Sequence, residues 1–274
     1  MEFCLVNGEA ATFLLEEECY SGVAKIAEKV CGDVELVTGI RPVTRRISKT
    51  YLDEQKESEY VVLVGTVGKS SVLEKLNGRV PLDKIRGKRE SFLFQIVDNG
   101  TKATLVIAGS DKRGTIYGLF HLSEYMGVSP WVHFSDVLPE KRKKLTLTEK
   151  DNMISREPSV KYRGFFINDE WPAFGSWTFE HFGGFTEEMY DLIFETLLRL
   201  KGNYLWPAMW TSSFSLDGPG DANARLADEY GIVMSNSHHE PCLRHSEEWD
   251  LVRGEDSVYG NAVSYTHLTL PTIA

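Results

Sequence analysis

The chain has 274 residues, 42% of them hydrophobic and 26% charged, the composition of a globular protein with ample material for a core. Its formal net charge of -10 makes contact with nucleic acid or an anionic membrane electrostatically unfavourable, which argues against both as non-specific partners. No stretch reaches the roughly 20 consecutive apolar residues of a membrane span. Met1–Gly8 has no basic, apolar and small-residue signal pattern, so the chain as given is expected to be cytoplasmic, or secreted or periplasmic if a leader was removed.

Residues 1–150 alternate strand and helix signals. Cys4–Val6 reads as a short strand, and Val23, Ile26, Ala27 and Val30 give Ser21–Val30 a helical face. Val34–Val37 reads as the next strand, and Tyr60–Val64 as a buried strand ending at Gly65. The run Gly65–Ser71 contains Gly-Lys-Ser, but a phosphate loop needs another glycine at position 63, which is Leu63; a strand-to-helix turn suffices. Phe92–Val97 and Thr104–Ala108 flank Asp98-Asn99-Gly100, a hairpin signal. The polar loop Gly109–Gly118 enters a helix over Thr115–Met126, stopped by Gly127. Ser129–Phe134 reads as an aromatic extended segment and Glu140–Lys150 as a solvated linker. These signals predict an α/β domain with a mixed sheet. Cys4, Cys19, Cys31 and Cys242 show no paired spacing; free thiols are expected, with a disulfide among the first three as the alternative.

After Pro158 the rhythm becomes strand, long helix, strand. A strand over 162–167 leads into an aromatic, glycine-rich loop, Trp171–Phe185. Thr186 is the expected N-cap of a helix with Glu187 and Glu188 in its first turn and Met189, Leu192, Ile193, Leu197 and Leu200 as its buried face. Strand Tyr204–Trp210, helix Ala222–Tyr230 closed by Gly231, and strand Ile232–Ser235 follow. Such repeats signal a parallel sheet. Residues 264–274 bear no relation to what precedes them and read as a non-native tail.

Three strand ends carry chemistry: Asn168-Asp169-Glu170, Trp206–Trp210, and His238-His239-Glu240. Residues just past the carboxyl ends of parallel strands face the crevice where α/β folds bind ligands. Carboxylates can move protons or bind hydroxyls, and aromatic faces stack on sugar C–H surfaces, so the set suits a sugar. Each piece has a plainer explanation: a polar turn at Asn168–Glu170, core packing for Trp206 and Trp210, and strand termination at Glu240 before Pro241. The adjacent histidines lack the His-x-x-x-His spacing of a helical metal site, and no metal or other cofactor is expected.

Several long motifs now stand together. Tyr162-Arg-Gly-Phe-Phe-Ile-Asn-Asp-Glu170, Phe182-Gly-Gly-Phe185, Leu197–Trp210, Leu226–Val233 and Ser237-His-His-Glu-Pro241 closely resemble glycoside hydrolase family 115, as do Gly109–Gly118 and Ser129-Pro-Trp131. The resemblance covers most of residues 1–263 and implies a xylan α-1,2-glucuronidase that removes glucuronic acid or its 4-O-methyl ether with inversion. It implies an N-terminal mixed-sheet α/β domain, 1–150, followed by the first part of a (β/α)8 TIM barrel, 158–263. A whole barrel needs roughly 250 residues, so the chain reads as an N-terminal fragment. Carried over by motif, Asn168, Asp169 and one of the two histidines line the glucuronate subsite; Asp169 and Glu170 are the candidate catalytic carboxylates, Asp169 binding substrate or activating water, with the general acid beyond residue 263. Asn168, His238, His239, Trp131, Trp206 and Lys112 bind substrate; Lys112, Asn168 and His239 are the candidates for clamping the uronate. After Ser-Pro-Trp the family continues with tryptophans, whereas this chain has Val132-His133-Phe134. The implied partner is glucuronoxylan or its oligosaccharides, with a homo-oligomer formed through domains outside this chain. Competing readings are a hexosaminidase-like glycosidase using Asp169-Glu170, a non-catalytic carbohydrate-binding remnant, and a metal-dependent hydrolase using His238, His239 and Glu240.

Overall fold

The computed structural model describes residues 1–51, 59–98, 100, 102–168, 171–208 and 212–236. The chain divides into two compact units, one comprising Met1–Lys161 with Leu198–Leu200, the other Tyr162–Leu197 and the chain from Lys201 onward.

In the first unit, β1 (Glu2–Asn7) pairs antiparallel with β2 (Glu9–Ala10) and with β8 (Lys144–Thr148). β8 lies inside the run read as a solvated linker, and it corrects that reading. Leu145 and Leu147 alternate with polar residues and are 2% and 0% exposed, so a period of two was present beneath the lysines.

A six-stranded mixed sheet carries the unit's core in the order β4-β3-β5-β7-β6-β9. Its strands are β3 (Thr12–Glu16), β4 (Thr44–Ile47), β5 (Val61–Thr66), β6 (Phe92–Asp98), β7 (Ala103–Gly109) and β9 (Met153–Ile154). β4, β3, β5 and β7 run parallel; β6 pairs antiparallel with β7 from Phe92↔Gly109 to Asp98↔Ala103, as the hairpin signal predicted. β3 was not anticipated. Its five residues are all buried, and a strand covered on both faces has no alternation to detect. Leu14, Leu63 and Val106 stand in register and pack with Val72 and Leu73 of α2 (Ser71–Lys75). The intervening Phe13, Leu15, Val62, Val64, Leu105 and Ile107 form the other buried face, each side chain contributing roughly 1.5–3 kcal/mol by leaving water.

α1 (Ser21–Thr38) packs beside α3 (Lys112–Met126). It replaces both the shorter helix and the strand expected over Val34–Val37. Val34 and Val37 extend the stripe of Val23, Ile26, Ala27 and Val30 at spacings of three and four, and all six are buried. The helix ends where Gly39, at φ 78°, donates its N–H to Glu35. α3 begins three residues earlier than expected because Asp111 is the N-cap, its side chain accepting from Gly114 N at 2.7 Å. Ser129–Phe134 is a run of turns rather than an extended segment. Ser129 Oγ accepts from Trp131 N at 3.1 Å, and Trp131 O accepts from Phe134 N and Ser135 N. Cys4, Cys19 and Cys31 are free thiols, and burial pushes Cys31 up to about 12. Cys242 lies outside the described residues, as do residues 264–274.

In the second unit, β10 (Gly164–Phe166), β11 (Tyr204–Trp206) and β12 (Val233–Met234) form a parallel sheet in chain order. Between β10 and β11 lie α4 (Phe174–Phe182) and α5 (Glu187–Arg199). α4 occupies much of the stretch read as a loop, where aromatics on every side of the helix obscure a 3.6-residue period. Thr186 holds the position before α5 and its carbonyl accepts from Tyr190 N at 3.1 Å, but its hydroxyl is buried without a partner among the described residues, so it is no side-chain cap. The short α6 (Phe214–Asp217) and then α7 (Ala222–Tyr230) precede β12, and Gly231 ends α7 as expected. Tyr230 donates to Asp191 Oδ1; burial first, and then the Asp191 charge, push that phenol's pKa well up.

Candidate functional site

The geometry of the second unit starts from a backbone contact. A Cβ on Gly164 would lie 1.5 Å from the Tyr204 carbonyl oxygen, so only glycine lets β10 approach β11 at this register. Asn203, 1% exposed, locks the same end: its Oδ1 accepts from Arg163 N at 2.9 Å and its backbone N–H bonds Arg163 O at 2.8 Å. Arg163 Nε reaches Lys201 O at 3.0 Å. The strand starts are thereby fixed, and the opposite ends follow from the register.

Phe166 pairs with Trp206, and Leu205 with Met234. Bonds from Ile167 N to Trp206 O (2.9 Å) and from Ser235 N to Leu205 O (3.1 Å) carry the ladder to its edge. Asn168, Trp206 and Asn236 therefore lie at the same end of the three strands, as the parallel rhythm of the sequence predicted; the third chemically loaded end, His238-His239-Glu240, lies outside the described residues. The sheet's two faces differ: Leu205 and Ile167 are 0% and 7% exposed, whereas Phe166 and Trp206 are 36% and 37% exposed. Those two rings meet edge to face at 6.3 Å, and Trp206 Nε1 donates to Tyr204 Oη at 2.9 Å. Trp206, for which core packing was the plainer reading, stands half-open with its indole N–H occupied. Asn168 is exposed; the Asn236 amide nitrogen is buried without a partner among the described residues.

Asp169, Glu170, His238 and His239 lie outside the described residues, as does Trp210. Lys112 and Trp131 belong to the first unit. Lys112 opens α3 with its ammonium 5.4 Å from the centroid of the Tyr20 ring, and Trp131 stands in the turns after α3, 47% exposed. Sequence reasoning missed Phe166 and Tyr204 on the open face beside Trp206, and Asn236 at the edge. The signal for the first two was period-two spacing along paired strands, legible only once the register is known. Among the described residues no group of three or more His, Cys, Asp or Glu side chains is placed to hold a metal ion.

The model of Glycosyl hydrolase family 115 matches residues 155–267, and that of the Glycosyl hydrolase family 67 N-terminus matches residues 25–122. A solved family 115 4-O-methyl-α-glucuronidase, BtGH115A, described as specific for decorated arabinogalactans, is 29% identical, with a TM-score of 0.78 over 97% of this chain. The chain thus carries a family 115 match over residues 155–267. It spans 33% of the length of that family 115 enzyme. Two other solved structures overlay less closely. Streptomyces plicatus N-acetyl-β-hexosaminidase gives 12% identity and a TM-score of 0.45, covering 86% of this chain and 42% of its own. A family GH138 enzyme targeting pectin rhamnogalacturonan II gives 14% and 0.40, covering 81% and 24%. No curated protein sequence matches. Tyr162-Arg-Gly164 and Lys201-Gly-Asn-Tyr204, at the strand starts, carry the Arg163–Asn203 lock.

Proposed function

We propose that the second unit opens the catalytic (β/α)8 barrel of an α-glucuronidase that removes α-1,2-linked glucuronic acid or 4-O-methylglucuronic acid from xylan with inversion. The observation that carries this reading is the common edge of the three parallel strands, where Asn168, Trp206 and Asn236 emerge. Active sites of such barrels sit at the carboxyl ends of the strands. The open face bearing Phe166 and Trp206 is the one a closing barrel would enclose, with helices on the outside.

In this reading Trp206 offers an apolar ring to the sugar's C–H surface, and Asn168 hydrogen-bonds a hydroxyl or the uronate. Asp169 activates the attacking water and Glu170 completes the acidic pair at the strand end. His238 or His239 binds the substrate carboxylate. Inversion sets the two catalytic carboxyl groups roughly 6.5–9.5 Å apart so that water fits between base and sugar. The acid that protonates the departing xylose oxygen is then supplied from outside this chain. A second reading changes only the backbone: BtGH115A's specificity for decorated arabinogalactans favours arabinogalactan in place of xylan.

Asp169→Asn in the gene product that carries this chain tests the assignment. Loss of a general base is expected to lower kcat about 100-fold or more, with the melting temperature unchanged. Parent-like turnover on glucuronoxylan oligosaccharides and on decorated arabinogalactan would overturn it.

A further inference from the structure

The helix that follows the first loaded strand end carries two aromatic rings on an unusual seat. α4 comes after the carboxyl end of β10, the end at which (β/α)8 barrels gather their active-site loops. Trp171, Gly175 and Phe179 fall four residues apart, so Gly175 and Phe179 share one face of α4 and Trp171 lies just before its start. A Cβ on Gly175 would stand 2.5 Å from Trp171 Cε2 and 2.8 Å from both Cδ2 and Nε1. Three neighbouring ring atoms at nearly equal distances place the glycine against the flat of the indole, in space that a side chain at 175 would fill. Phe179 meets the same indole at 5.3 Å between ring centroids, with 47° between the planes, and stands edge to face on the buried Phe185 at 6.2 Å.

Both rings are backed from below yet half in water, Trp171 50% and Phe179 48% exposed. A flat apolar ring held in place and left open suits a flat apolar ligand surface, and the C–H face of a sugar is one. The surrounding charge selects the kind of sugar. From Gly164 to Leu198 the sequence has several acidic residues, Glu180 of α4 among them, and neither lysine nor arginine. A uronate would be repelled there, whereas a neutral sugar would not. Trp171 is three residues from Asn168, so their Cα atoms are at most about 11 Å apart. Sugars next to a uronate bound at the strand ends can therefore reach the rings.

We propose that Trp171 and Phe179 bind the neutral backbone sugars of the decorated polysaccharide by stacking on their C–H faces, and so hold the polymer while its uronic acid branch occupies the strand-end site. This role rests on the glucuronidase reading; the binding itself requires no turnover and is measured apart from it. Xylose and galactose backbones both offer the C–H faces that the rings require.

Titration calorimetry of the gene product with xylohexaose and with a galactan oligosaccharide tests it. At least one is expected to bind in the millimolar range or tighter, and the one that binds more tightly identifies the backbone. W171A and F179A are expected to weaken that binding about fivefold or more, W171F to retain most of it, and D169N to leave it intact. G175A is expected to weaken it as well, because the new Cβ displaces the indole while both rings remain present. Backbone affinity unchanged in a folded W171A/F179A protein, or no binding of either oligosaccharide up to about 10 mM, would overturn the proposal, even where uronic acid is released at the parent rate. Binding that W171A weakens, without release of uronic acid from either polymer, would support the platform and count against the glucuronidase reading instead.

Discussion

Gly164→Ala is the most informative single change to the second unit. The added Cβ would sit 1.5 Å from the Tyr204 carbonyl oxygen and 2.5 Å from its carbon. Both atoms are backbone, so no rotamer relieves the overlap, and the strands must part by well over an ångström to restore ordinary contact. That separation strains the bonds on either side, Tyr204 N to Arg163 O at 3.1 Å and Ile167 N to Trp206 O at 2.9 Å. At about 1 kcal/mol net for each weakened bond, plus about 1–3 kcal/mol for forced overpacking, the cost is roughly 3–5 kcal/mol. Against it stands only about 0.4–1 kcal/mol from the stiffer unfolded chain, so the net effect is destabilisation by about 3 kcal/mol. Urea unfolding followed by tryptophan fluorescence reads it, because Trp171, Trp177, Trp206, Trp210 and Trp249 all lie beyond the first unit's Lys161. With an m-value of about 1–3 kcal/mol/M, the midpoint should fall by about 1 M or more. An unchanged or raised midpoint would show that β10 and β11 do not pair at this register.

The same substitution has the opposite sign in α1, where a Cβ on Gly32 meets only the far end of Arg41 at 3.3 Å; G32A should raise stability by about 0.5–1 kcal/mol in thermal melts. Asp111→Ala removes the acceptor for Gly114 N at 2.7 Å and Glu90 N at 2.8 Å, and should lower stability by about 1–2 kcal/mol with accelerated amide exchange at the start of α3. Cys31 should resist alkylation at pH 8 until the protein unfolds, since burial raises its thiol to about 12. Linkage gives the sign for stability. The folded pKa stands above the ordinary 9.0, so this contribution is complete at neutral pH and declines as pH rises from about 9 toward 12. A C31A variant should flatten that decline.

What the sequence disclosed followed the physical form of each signal. α5 and α7 were legible because their apolar spacing is regular; Gly231 closes α7 as expected, whereas after α5 the left-handed residue is Lys201, at φ 58°, rather than Gly202. The β6–β7 hairpin was legible from Asp98-Asn99-Gly100 between apolar runs. β3 and β8 were not: the first is buried on both faces and so has no period, and the second has its leucines set among lysines and threonines. The valines at 34 and 37 show why a β-branched cluster misleads; they form the last turns of a stripe already running through α1. At the candidate site, Asn168 and Trp206 were legible as residues at strand ends. The register that brings them level was not, because it depends on the Gly164–Tyr204 approach and the Asn203 bonds, which are pairings across about 40 residues of chain.

The catalytic claim is tested most directly by proton NMR of the gene product acting on 4-O-methylglucuronoxylan and, in parallel, on a decorated arabinogalactan. The account predicts release of 4-O-methylglucuronic acid as the β-anomer first, followed by slow mutarotation. Release of the α-anomer first, or no uronic acid from either polymer, would contradict it.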